Sequence, residues 1–146
     1  MKSFQFRLER VLELRRTQLE IEESRYQQCL AAVAALDHDR AELEASGIHA
    51  EVQVRKWNPI VGTDLAALAA FRGAIRTKEK SIAALRDEAA RKAAAQMTLM
   101  MEAQRRCRLM ERLKERRLVE WRSEEAKELE TLSAESYLAR WTREQR

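Results

Sequence analysis

The chain has 146 residues, of which 36% are charged and 5% aromatic, and its 28 Lys and Arg against 24 Asp and Glu leave a net charge of +4. That balance excludes the strong uniform field of a general nucleic-acid or membrane-surface binder, and a composition led by Ala, Glu, Arg, Leu and Lys is that of long helices. Partner choice must therefore come from local patches.

The first residues, MKSFQFRLERVLELRR, place charges where a secretory signal needs an unbroken apolar core. No apolar run approaches the roughly 20 residues that span a bilayer. Cys29 and Cys107 form neither a close pair nor a metal-ligand spacing, which fits a reducing compartment. The expectation is a cytoplasmic protein, peripheral to a membrane machine and without direct membrane insertion.

From the start, apolar residues recur in alternating steps of three and four. Leu8, Leu12, Leu19, Tyr26, Cys29, Val33, Leu36 and Leu43 share one heptad face, interrupted by Arg15, Glu22 and Arg40. The spacing predicts a first helix over about 4–53, with Gly47 as a place to fray or bend. The stretch WNPIVGTDL (57–65) then holds the only proline and one of three glycines. Pro59 lacks an amide donor and biases Asn58 to extended geometry, while Thr63 or Asp64 can cap a new helix. A turn is expected over about 54–63.

A second helix is predicted over about 64–143. Its stripe runs through Leu68, Phe71, Ile75, Ile82, Leu85, Ala89, Leu99, Ala103, Met110 and Leu113, with Lys78, Lys92, Gln96 and Arg106 filling other seam positions. The fold class is all-α: a single domain, 1–146, forming a long two-helix antiparallel coiled-coil hairpin whose second helix outruns the first. At 1.5 Å per residue the helices would measure about 75 and 120 Å, making a rod. If the turn alone sets the register, facing residue numbers should sum to about 117, placing Leu43 opposite Ile75, Leu36 opposite Ile82 and Arg15 opposite Glu102. Opposite net charges support the pairing, since residues 3–53 carry six basic and ten acidic side chains and residues 64–146 carry 19 and 14.

Beyond about Leu113 the second helix has no predicted partner within the chain, yet Leu118, Trp121, Leu129, Leu132, Tyr137, Leu138 and Trp141 keep it partly apolar. Aromatic residues are enriched at binding hot spots, so a partner protein is expected there, with dimerisation or folding back as the alternatives. The block RRCRLMERLKERR (105–117) holds seven basic and two acidic residues, and 118–136 holds two and six. The pattern is unlike a zipper-type DNA reader, because the basic block follows the coiled coil and gives way to acidic residues. Aromatic interleaving for single strands is absent too, so no nucleic acid is expected as a partner. Catalysis is disfavoured: there is no glycine-rich phosphate loop and no metal quartet, and His38 and His49 have no nucleophile or orienting acid fixed beside them. No cofactor is expected.

The two ends together resemble the FliJ family of flagellar export proteins. FQFRLERVLELRR (4–16) is similar to the family's opening, an aromatic pair leading into Leu-x-x-Val-Leu and basic residues. LMERLKERRLVEWRSEEAKELETLS (109–133) is similar to its second signature, through Glu111, Leu113, Lys114, Arg116, Arg117, Trp121, Glu125, Lys127, Glu128 and Leu129. Glu130-Thr131 stands where the family more often shows Asp-Glu. The resemblance implies a non-enzymatic component of the flagellar type III export apparatus, similar to the central stalk of rotary ATPases. Its implied partners are the hexameric export ATPase, a membrane export gate protein and export chaperones. Residues implied for the ATPase are Phe4, Phe6, Leu8, Arg112, Lys114, Arg116, Arg117 and Trp121. Phe71 and Ile75 resemble the aromatic and aliphatic pair implicated in gate binding, although seam packing is the simpler role for Ile75. A virulence-injectisome stalk and a structural coiled coil without an export role are the alternatives.

Overall fold

The computed structural model describes residues 3–145. They form two α-helices and, among the described residues, no strand: α1 is Glu9–Arg55 and α2 is Gly62–Glu144. The fold is all-α, with the second helix the longer and the two paired antiparallel. Gly47 does not break α1, which runs through it. Its contacts separate into two compact units, one of residues up to Leu19 with those from Glu102 onward, the other Glu20–Met101.

Within α1 the covered positions include two runs spaced by threes and fours, Glu22, Tyr26, Cys29, Val33 and Leu36, and then Leu43, Gly47, Ala50 and Val54. This is the predicted face. On α2 one half of the predicted stripe is wrong by a single residue. The seam runs through Ile75, Glu79, Ile82, Arg86, Ala89, Ala93, Gln96, Met100 and Ala103 to Cys107. Leu85 is 51% exposed, Leu99 50% and Phe71 42%, so all three lie outside it. Both placements satisfy a heptad, since three-then-four and four-then-three differ only in phase. The size and charge of the side chains decide between them. The predicted phase would insert Lys78, Lys92 and Arg106 between the helices, whereas the observed one inserts the small Ala93 and Cys107, each nearly inaccessible, and lets the stem of Arg86 cover apolar surface while its head reaches water.

In the Glu20–Met101 unit, Arg86 binds the Asp37 carboxylate through both its Nε and its Nη2, the latter at 3.4 Å. Arg72 pairs with Glu51, and Gln96 donates to Glu22 at both its carboxylate and its main-chain oxygen, the latter at 3.4 Å. Residue numbers sum to 123 for Asp37–Arg86 and Glu51–Arg72, and to 118 for Glu22–Gln96. The register is therefore shifted by up to six residues from the sum expected from the turn. The link is the reason. With Arg55 level with Leu68, α2 starts at Gly62 about 9 Å beyond the end of α1. Lys56–Val61 is spent climbing that distance and not on a symmetrical turn.

The start of α2 is fixed locally. The Asp64 and Leu65 amides donate to the Val61 carbonyl at 3.0 and 3.3 Å, and the Asp64 carboxylate accepts from the Val61 amide at 3.2 Å. Asp64, not Thr63, is thus the capping side chain, reaching back from inside the first turn as a capping box does.

In the unit containing both ends of the chain, Leu12 is fully buried and Cys107 is 3% exposed. Burial, with the adjacent Glu111 carboxylate, pushes the Cys107 thiol up from its ordinary value, which keeps it neutral and unreactive. Arg16 pairs with Glu111 at 3.4 Å, while Arg15 binds Gln18 of its own helix and not Glu102 as the turn-based register required.

Two expectations follow. A Cβ placed on Gly73 meets nothing within 4 Å, whereas one on Gly47 comes to 3.1 Å from Cδ1 of the buried Ile75. Gly73→Ala should therefore raise stability in urea by about 0.5–1 kcal/mol and Gly47→Ala by less; equal gains would show that Ile75 does not pack on Gly47. The second concerns acid. The Arg86 hydrogen bond holds the Asp37 carboxyl below its ordinary value of 3.8. A depressed folded-state value makes the stabilisation complete above the ordinary value and lost as pH falls through the depressed one. The stability difference between the wild type and Asp37→Asn should stay constant from neutrality down to about pH 4 and shrink below it.

Candidate functional site

Residues 3–6 do not join α1, although the sequence predicts helix from about residue 4. They run without regular structure to the amide of Glu9, which donates to the Phe6 carbonyl at 3.0 Å and opens the helix. The alternation of Phe4 and Phe6 suits an extended strap, in which residues two apart point the same way. The Phe4 ring lies 6.0 Å from that of Trp121, tilted by 57°. That geometry suits the ring quadrupoles and is worth about 0.5–1.5 kcal/mol beyond the area covered.

The strap and α2 together enclose a cleft of about 870 Å³, lined by Phe4, Phe6 and Leu8 on one side and by Leu113, Arg117, Glu120, Trp121 and Glu124 on the other. The α2 residues are spaced by threes and fours and so share one helix face. Lys114, next in sequence to the lining residue Leu113, donates at 2.8 Å to the carboxylate of Glu9, which is next to the lining residue Leu8. Arg117 is paired with Glu120 at 2.9 Å on its own helix.

The structure thus brings together five of the eight residues expected at an ATPase contact: Phe4, Phe6, Leu8, Arg117 and Trp121. Lys114 is half-buried and engaged with Glu9, so its charge is partly spent within the chain. Arg112 and Arg116 are exposed and, among the described residues, carry no ion pair. Sequence reasoning passed over Glu9, Glu120 and Glu124, which set the charge around the cleft; the spacing of Glu120 and Glu124 from Arg117 was the available signal.

Of the other pair, Phe71 is exposed and Ile75 is 8% exposed, packed on Gly47 within the seam. Ile75 therefore has no free surface to offer a partner. The expectation that α2 lacks a partner beyond about Leu113 is also corrected: the Phe4 ring lies against Trp121, which is half-covered, as are Leu118 and Glu125. Only from residue 126 to residue 145 is every position exposed, including Leu129, Leu132, Tyr137, Leu138 and Trp141.

Comparison with known proteins finds no match. No family model, no curated protein and no solved structure matches this chain. Among the described residues there is no helix long and apolar enough to cross a membrane, and no group of three or more His, Cys, Asp or Glu positioned for a metal ion.

A half-covered tryptophan beside mixed charges and a free apolar helix is the material of a protein interface core and its rim. Phe4→Ala should uncover Trp121, shifting its emission to longer wavelength and lowering stability by about 1 kcal/mol; an unchanged spectrum would mean that the strap does not rest on the ring in solution.

Proposed function

We propose that this chain is a non-enzymatic stalk of a flagellar-type export apparatus, of the FliJ kind, that docks on a hexameric export ATPase through the end bearing both termini. The observation that carries the reading is the meeting of both terminal signatures in one unit, with Phe4 on Trp121 and Lys114 on Glu9. Next to that joint stand the exposed Arg112 and Arg116, and from residue 126 to its end at Glu144 every position of α2 is exposed. Exposed cations steer encounter with an acidic surface, and the apolar residues of the tail supply contact area once docked.

The mechanism is mechanical and electrostatic. The paired helices stiffen one another, and the dipolar run from basic 105–117 to acidic 118–136 gives the helix an orientation that a ring with complementary charge can read. Binding then biases ring assembly or the order of hydrolysis steps without any group of this chain taking part in the chemistry. Phe71, exposed on the flank of α2, is the candidate contact for the membrane export gate, whereas Ile75 is buried in the seam.

Purified full-length protein at saturating concentration should change both turnover and oligomerisation of a cognate export ATPase, and Arg112→Glu with Arg116→Glu should weaken that binding by roughly tenfold or more. Phe71→Ala should weaken gate binding alone, leaving helicity and ATPase binding intact. An ATPase indifferent to the wild-type protein would overturn the stalk reading.

A further inference from the structure

The end of the Glu20–Met101 unit at which α1 passes into α2 carries a second surface that the stalk reading does not use. Trp57, Ile60, Val61 and Leu65 leave between 44% and 54% of their surface exposed within nine consecutive residues. They are uncovered for a structural reason. Because the paired register starts α2 about 9 Å beyond the end of α1, its first turns and the climbing link have no helix beside them.

The charge at this place is one-sided. Arg55 and Lys56, both exposed, immediately precede Trp57, and residues 52–63 contain no acidic side chain. The nearest acids are already engaged: the Asp64 carboxylate accepts from the Val61 amide, and Glu51 pairs with Arg72. The two cations are thus left without a neighbouring counter-charge at the base of an apolar tip.

We infer that this tip, Trp57, Ile60, Val61 and Leu65 with Arg55 and Lys56, is a peripheral anchor for an anionic lipid surface. Tryptophan partitions to the boundary between headgroups and acyl chains, aliphatic side chains beside it enter the hydrocarbon, and Lys or Arg at the base meet lipid phosphates. The apolar groups come from an irregular link and one turn of helix, not from a repeating helical face. A fluid apolar phase accepts such a set without the register that a helix groove imposes. Depth is limited by the backbone, since the link has few internal amide bonds and its polar groups must stay hydrated. Side chains therefore enter the interface while no segment crosses it. This refines the expectation of no direct membrane insertion, and it stands independently of the stalk reading.

The test is flotation of the full-length protein with vesicles of phosphatidylcholine alone and with about a third phosphatidylglycerol. The wild type should float with the anionic vesicles and not with the neutral ones. Trp57→Ser with Ile60→Ser should lower the bound fraction by roughly tenfold, with helicity by circular dichroism unchanged because both residues are exposed in the link. Arg116→Glu with Arg117→Glu, in the other basic region, should leave vesicle binding intact. Wild-type protein that ignores both vesicle types would overturn the inference and leave a protein partner as the reader of the tip. So would binding that survives the link substitutions, binding lost only with Arg116 and Arg117, or a dimer abolished by the link substitutions.

Discussion

The narrow apolar seam between α1 and α2 is the constraint on which everything else depends. Helices of 47 and 83 residues that are more than a third charged gain little from propensity alone, and in water a helix keeps its length mainly by covering an apolar stripe. The stripe is thin: buried residues are few, and small ones such as Ala93 and Cys107 are among them. Small seam residues bring the helix axes close, so that Arg86, Gln96, Arg72 and Lys114 can reach across to carboxylates on the opposite helix. Each such pair is partly exposed and contributes modestly.

Register in turn decides which surfaces are left over. The displacement between the end of α1 and the start of α2 uncovers Trp57, Ile60, Val61 and Leu65. In the unit with the chain ends, α1 begins only at Glu9, and the irregular strap before it sets the Phe4 ring against Trp121. Both candidate surfaces are thus consequences of where helix pairing stops, not separate inventions of the local sequence.

The α1 face was legible because its apolar spacing leaves one choice of phase from Leu8 to Leu43. On α2 the apolar residues Leu85 and Leu99 compete with Ala93, Met100 and Cys107 for the seam, and hydrophobicity favours the wrong set. Close approach and the exclusion of Lys78, Lys92 and Arg106 favour the right one, and those criteria operate between helices and not within a window of sequence. The register failed for a related reason: Pro59 and Gly62 announce a break but do not say how far the chain climbs before the next helix begins. Phe4, Phe6 and Trp121 were recognised as candidate contacts, but their meeting depends on the strap, which the helical pattern of residues 8–19 conceals.

The two ends of the paired region differ in what they can recognise. Near Trp121 the apolar surface is carried on a helix face, flanked by exposed arginines and by carboxylates, so it has period, polarity and handedness; such a surface discriminates among partners because a one-residue slip misplaces every group. At Trp57 the apolar groups follow one another along an irregular link with cations on one side only, which offers adhesion but no repeating pattern to match. Specific docking belongs to the first arrangement and orientation toward a bulk phase to the second. One chain can carry both, because each surface belongs to its own unit and takes no part in the packing of the other.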